Sequence, residues 1–142
     1  PDYLYNMERL LRKFRTAAEL VPPPVLRKAS RPTRFGAIFF GSTSAAMHEA
    51  LDVLEAEGVH LDALRLRAFP FAEAVREFIA AHEKVFVVEQ NRDGQMHTLL
   101  VNELDLDPAR LVRVLHFDGT PITARFIAGA IRKNMVWKKE FA

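Results

Sequence analysis

The chain has 142 residues, 49% of them hydrophobic, which is enough for one compact core and too little for two. It contains no cysteine, so it can supply neither a disulfide nor a thiolate for a zinc site or an iron-sulfur cluster. With 20 Lys and Arg against 18 Asp and Glu, the net charge is only +2, and the two signs are interspersed rather than gathered on one stripe.

From the amino end, Leu4, Met7, Leu11, Phe14, Ala18 and Val21 recur in a three-four alternation that lines one narrow seam of a helix. Glu8, Arg9, Arg12, Lys13 and Arg15 fill its other faces, and such a seam calls for a packing partner. Pro22, Pro23 and Pro24 end the helix in a stiff extended segment. Residues 1–34 are therefore read as a linker helix and a proline-rich connector, held apart from a main domain at 35–142.

From Phe35 the pattern changes to short apolar runs alternating with helical periods, the signature of strand-helix units around a parallel sheet. The first strand is predicted at Ala37 to Phe40. A helix capped by Thr43 or Ser44 follows, buries Met47, Ala50, Leu51 and Leu54, and stops at Gly58. The second strand is predicted over Val59 to Leu66, where the Leu64-Arg65-Leu66-Arg67 alternation suggests a wetter strand near an edge. Pro70 opens a helix with the stripe Phe71, Val75, Phe78 and Ile79, and Val85 to Val88 reads as the most buried strand. A helix from Gly94 to Glu103, a strand at Leu111 to Leu115 and a helix from Thr123 to Asn134 complete four strands and four helices after Phe35.

The apolar runs fall far short of the roughly 20 residues a membrane helix needs, and no cationic start leads into a signal segment, so a cytoplasmic protein without a membrane partner is expected. The aromatics, mostly phenylalanines, sit at core spacings rather than among exposed basic residues, which disfavours nucleic-acid binding. In the tail, Arg132, Lys133, Lys138 and Lys139 outweigh Glu140, a solvated terminus or a lure for an acidic partner. The start at Pro1 suggests a piece of a longer polypeptide.

Function in an open parallel sheet is sought first in the loops at the carboxyl ends of the strands. Gly41-Ser42-Thr43-Ser44 turns a strand into a helix, which suits a cap and also makes these four residues weak candidates for holding an anion with free helix amides. The loop has neither the spaced glycines of a dinucleotide turn nor the lysine of a phosphate loop. Glu89-Gln90-Asn91-Arg92-Asp93-Gly94-Gln95 is more informative: Glu89, Asn91, Arg92 and Gln95 offer donors and acceptors suited to a contact with another chain, while Asn91 and Asp93 also suit a turn. His116-Phe117-Asp118-Gly119-Thr120-Pro121 reads as a turn in which His116 is an interface candidate. His48, His60, His82 and His97 show no metal-ligand spacing and read as surface or helix-end residues. Asp105 and Asp107 fit a helix-to-strand loop, with no base or nucleophile beside them.

Taken in order, Arg9-Leu10-Leu11-Arg12-Lys13-Phe14, Phe40-Gly41-Ser42-Thr43, Leu64-Arg65-Leu66-Arg67-Ala68-Phe69-Pro70, Val87-Val88-Glu89-Gln90-Asn91-Arg92-Asp93-Gly94-Gln95 and Leu115-His116-Phe117-Asp118-Gly119 resemble the last domain of the 2-oxoacid:ferredoxin oxidoreductase α subunit. The resemblance covers nearly the whole chain, and Glu89 to Gln95 is its most specific block. It implies a transketolase-carboxy-terminal-like domain, of α/β class, with three Rossmann-like layers, a mainly parallel sheet and a preceding linker helix. It also implies an enzyme complex in which a 2-oxoacid is decarboxylated with thiamine diphosphate and magnesium, the acyl group passes to coenzyme A, and electrons leave through an iron-sulfur cluster to ferredoxin. The similarity is nearest the 2-oxoglutarate branch.

The resemblance carries over no catalytic residue, because the segments that hold those cofactors lie in other domains. The segment is therefore expected to bind no cofactor or metal and to be inactive alone. Its expected role is assembly with the remainder of the α subunit and with the β subunit, through Leu4, Met7, Leu11 and Phe14 on the seam and through Glu89, Asn91, Arg92, Gln95 and His116. The alternative is a self-standing module that binds a small anion or nucleotide at Gly41 to Ser44.

Overall fold

A computed structural model describes residues 2–136; the tail from Trp137, with Lys138, Lys139 and Glu140, lies outside the described residues. In chain order it contains α1 (Asp2–Leu20), β1 (Val25–Arg27), β2 (Phe35–Phe40), α2 (Ser44–Ala56), β3 (Asp62–Leu66), α3 (Glu73–Ala80), β4 (Lys84–Glu89), α4 (Gln95–Leu104), β5 (Leu111–Leu115) and α5 (Ala124–Val136). Short 3-10 turns occupy Gly41–Thr43 and Pro108–Arg110.

The five strands form one sheet in the order β1-β3-β2-β4-β5. β3, β2, β4 and β5 run parallel, and β1 runs antiparallel to β3. Because successive strand residues point to opposite faces, each inner strand feeds two cores. Ala37 and Phe39 pack with Met47, Leu54, Ile127 and Ile131 beneath α2 and α5. Ile38 packs on the opposite face with Val75, Ile79, Leu100 and Leu104 beneath α3 and α4. The result is the expected three-layer α/β arrangement around a mainly parallel sheet.

Three local expectations differ. β3 is no nearer an edge than β4, since each lies one strand in; β3 sits between β1 and β2, and Arg65, which suggested a wet face, stands opposite Val25 of a strand only three residues long. β1 itself falls in the connector read as extended, where a three-residue strand behind three prolines carries no periodicity to detect. α3 begins at Glu73 rather than at Pro70, and β3 at Asp62 rather than at Val59.

One glycine is fixed by close packing. Gly36 in β2 has no side chain because the ring of Phe78 occupies that space: an added Cβ would lie 2.9 Å from it and 3.2 Å from the ring of His82. α1 makes the opposite contrast, since none of its residues is buried.

Candidate functional site

The direction of winding places a cleft in the sheet. After β2 the chain turns to one face to form α2, and after β4 it turns to the other to form α4, so the loops behind these neighbouring strands diverge. Between them opens a cleft of about 440 Å³, lined by Gly41, Ser42, Thr43, Gln90, Asn91 and Gln95 over an apolar wall of Phe40, Met96 and Leu99.

Its chemistry is neutral. Gln90 Nε2 donates to Ser42 Oγ at 3.1 Å and to Thr43 Oγ1 at 3.2 Å, while Gln90 Oε1 accepts from the Ile122 amide at 3.3 Å. The Ser42 and Thr43 hydroxyls are thus both bonded to Gln90, and Thr43 is buried. Among the described residues that line the cleft there is no lysine or arginine.

Glu89 departs from its expected place on an interface. It is fully buried, and its carboxylate accepts from the amides of Met96 at 2.8 Å and His97 at 2.9 Å and from Asn91 Nδ2 at 2.8 Å. A negative side chain thereby satisfies orphan amides in the first turn of α4, where the helix dipole favours it. Asn91 completes the wiring: its Oδ1 accepts from the Gly94 amide at 2.8 Å and the Gln95 amide at 3.2 Å, and Gly94 takes a left-handed φ of 64°. The polar block is therefore largely a connected turn. Arg92 and Gln95 remain exposed, and Arg92 Nε donates to Asp93 at 2.7 Å.

His116 is likewise internal. It is buried edge-on to Phe126, its amide donates to the Glu89 carbonyl at 3.0 Å, and its Nε2 stands 3.4 Å from Asp118. Asp118 accepts from the hydroxyl and amide of Thr120, which hold its carboxyl below the usual range. Burial satisfies the His116 ring with an aromatic neighbour and the turn's own carboxylate, so it is not displayed to another chain.

The seam of α1 faces solvent. Leu4 is 64% exposed, Leu11 58%, Phe14 56% and Met7 37%. Fourfold display of large apolar side chains on one stripe exceeds what scattered surface leucines explain, and it marks a surface built to be covered.

His82 and His97, read as surface or helix-end residues, do lie at helix ends, but both are buried. His82 lies between Phe78 and β3, with Nδ1 2.6 Å from the Phe78 carbonyl and Nε2 3.2 Å from Asp62. Asp62 also accepts from Lys28 at 2.7 Å and the Ala29 amide at 2.9 Å, which stitches the connector to the amino end of the sheet. Burial opposes ionisation of Asp62, but its bonds from Lys28, Ala29 and His82 together hold the carboxyl below its usual range. His97 is buried beside Arg113, and its Nδ1 has no hydrogen-bond partner among the described residues. Burial, and then the charge of Arg113, push its pKa down against the opposing pull of Glu89. These partners lie 20 residues apart in the first case and 16 in the second, so no local spacing announces them.

A chain without cysteine offers no thiolate to an iron-sulfur cluster, and among the described residues no three His, Asp or Glu side chains converge as a hard-metal set. The chain therefore supplies no thiolate ligand to a cluster.

Together the winding, the layers and the sheet order define a Rossmann-like, transketolase-carboxy-terminal-like α/β domain. No family model matches the sequence. Subunit alpha of 2-oxoacid:ferredoxin oxidoreductase 2 from Aeropyrum pernix is 32% identical over 127 residues, covering 86% of this chain and 19% of that protein. The chain is thus a homologue of part of the 2-oxoacid:ferredoxin oxidoreductase α subunit, and it spans about a fifth of that curated relative's length. Among solved structures, 2-oxoglutarate:ferredoxin oxidoreductase from Magnetococcus marinus, with 2-oxoglutarate, coenzyme A and succinyl-CoA bound, superimposes with a TM-score of 0.80 at 23% identity, over 94% of this chain and 23% of that one. An inactive β4 tetramer of a split-gene transketolase gives 0.64 at 20% identity, over 80% and 42% of the two chains. The α chain of a probable 2-oxoacid ferredoxin oxidoreductase from Thermoplasma acidophilum gives 0.52 at 21% identity, over 78% and 95%. These three likenesses establish the fold.

Proposed function

We propose that this segment is the carboxy-terminal assembly domain of the α subunit of a thiamine-diphosphate-dependent 2-oxoacid:ferredoxin oxidoreductase and is inactive by itself. The full complex would convert a 2-oxoacid to its acyl-CoA and reduce ferredoxin, with thiamine diphosphate, magnesium, the iron-sulfur cluster and coenzyme A held by its other parts. A 2-oxoglutarate substrate is supported by the ligands in the Magnetococcus marinus structure. The division proposed is a linker helix and connector at 1–34, whose β1 joins the edge of the α/β domain at 35–142.

The observation that carries this reading is the uncovered seam of α1, beside a sheet whose polar loops are mostly bonded to one another. Partners would be the remainder of the α subunit and the β subunit; the seam at Leu4, Met7, Leu11 and Phe14 and the exposed Arg92 and Gln95 would be buried within the complex. The test is co-expression of the complete complex with Leu11→Glu, or with Arg92→Ala and Gln95→Ala together, followed by analytical ultracentrifugation. Loss of subunit association with the domain's own melting temperature unchanged is expected; full association of both variants would remove the basis for an assembly role.

A further inference from the structure

The seam has the spacing of three heptads. Leu4, Leu11 and Ala18 occupy one core position and Met7, Phe14 and, one residue past the helix end, Val21 the other; Leu4, Met7, Leu11 and Phe14 are exposed and Ala18 and Val21 half-buried. We propose that this seam is covered by the same helix of a second copy of the chain, running antiparallel. The inference rests on the assembly reading and names the occupant of its surface.

Volume selects the direction. In a parallel, in-register pair Phe14 would meet Phe14 and Ala18 would meet Ala18, crowding one layer and leaving the next hollow. In an antiparallel pair each residue of one core position meets the other position of the second copy. The layers become Leu4 with Val21, Met7 with Ala18 and Leu11 with Phe14, so that neither Phe14 nor Ala18 meets its own kind and the layers are more even in volume.

Charge selects the same direction. Glu8 and Arg15 both occupy the flank that follows the second core position, and this flank faces its own equivalent in an antiparallel pair. Glu8 then stands beside the second copy's Arg15, and the two-fold axis repeats the pair. In a parallel pair the same flank would face Tyr3, Leu10 and Ala17, which offer no opposite charge. The connection to the body agrees, since β1 follows the carboxyl end of α1. At 1.5 Å per residue the helix is about 28 Å long, and antiparallel pairing sets the two α/β bodies at opposite ends of it.

The absence of cysteine makes the test clean. Met7→Cys and Ala18→Cys variants of the 142-residue chain are mixed in a thiol-disulfide buffer, and sedimentation is measured over a range of concentrations. The expected result is a concentration-dependent dimer cross-linked chiefly between Met7→Cys of one copy and Ala18→Cys of the other. Glu8→Arg should lose dimer, and Glu8→Arg with Arg15→Glu in one chain should regain it. A monomer at every concentration, a preference for cross-links between two Met7→Cys chains, or failure of the double exchange to restore the dimer would overturn the proposal. If the chain stays monomeric while Leu11→Glu still disrupts the complete complex, self-pairing fails and the assembly role stands; if Leu11→Glu leaves both unaffected, both fail.

Discussion

Glu89 shows how little a residue's type says about what it touches. Its carboxylate receives two α4 amides and the Asn91 side chain in a fully buried site, so exchange for the neutral isostere turns one acceptor into a donor facing a donor. Glu89→Gln is expected to cost about 2–3 kcal/mol, since bonds to a charged group are the stronger class and the amides it leaves are buried. Urea denaturation monitored by circular dichroism measures it, and a loss near zero would show that α4 does not depend on this cap. Arg92→Ala should cost roughly 0–1 kcal/mol, because its ion pair with Asp93 is exposed. The sequence marked both as polar residues at the mouth of a buried strand. What it did not carry is the direction of each side chain, since internal wiring and external contact draw on the same donors and acceptors.

At the scale of elements, the parallel strands and their helices were legible because continuous apolar runs alternate with stretches of 3.6-residue periodicity. β5 and the buried stripe of α2 lie where they were predicted. β1 left no trace because three residues contain less than two periods, and its place on the edge displaced β3 inward. Contacts between elements were equally silent. Arg110 reaches from the end of the Pro108–Arg110 turn to the carbonyls of Ile79 at 3.2 Å and His82 at 2.6 Å, closing the carboxyl end of α3. Arg76 does the same for α4 through the Leu104 carbonyl at 2.7 Å. Arg110→Ala is expected to cost about 1–3 kcal/mol by stranding those carbonyls, with amide exchange accelerating first in Phe78 to His82. Exchange that rises evenly across the sheet instead would remove the local cap from the account. Gly36→Ala tests the opposite face of the same joint: a Cβ 2.9 Å from the Phe78 ring forces α3 outward, at about 1–3 kcal/mol.

For the whole molecule, buried titrating groups at opposite ends of the sheet fix the direction in which stability follows pH. His97 has its pKa pushed below 6.5 by burial and by Arg113, with Glu89 pulling the other way. As pH falls through 6.5 the unfolded chain takes up this proton before the folded one does, so stability falls with pH until the folded ring is also protonated; above 6.5 the ring is neutral in both states and adds no slope. Asp62 acts in the acid range. Its folded pKa lies below 3.8 despite burial, so its bonds to Lys28, Ala29 and His82 stabilise the fold above 3.8 and lose that contribution as pH drops through the folded value. The half-buried carboxyl of Glu55 and the exposed one of Asp118 are lowered as well and share that sign. Two declines are therefore expected on acidification, one setting in near 6.5 and one below 3.8. Denaturation midpoints measured across this range should lose the first decline in His97→Leu, whose apolar side chain also relieves the unpartnered Nδ1. Asp62→Asn should lower the neutral plateau, because Lys28 and Ala29 no longer meet a carboxylate, and should shrink the second decline. If His97→Leu kept the full slope between 6.5 and 5, the buried ring would not be the group that senses pH there.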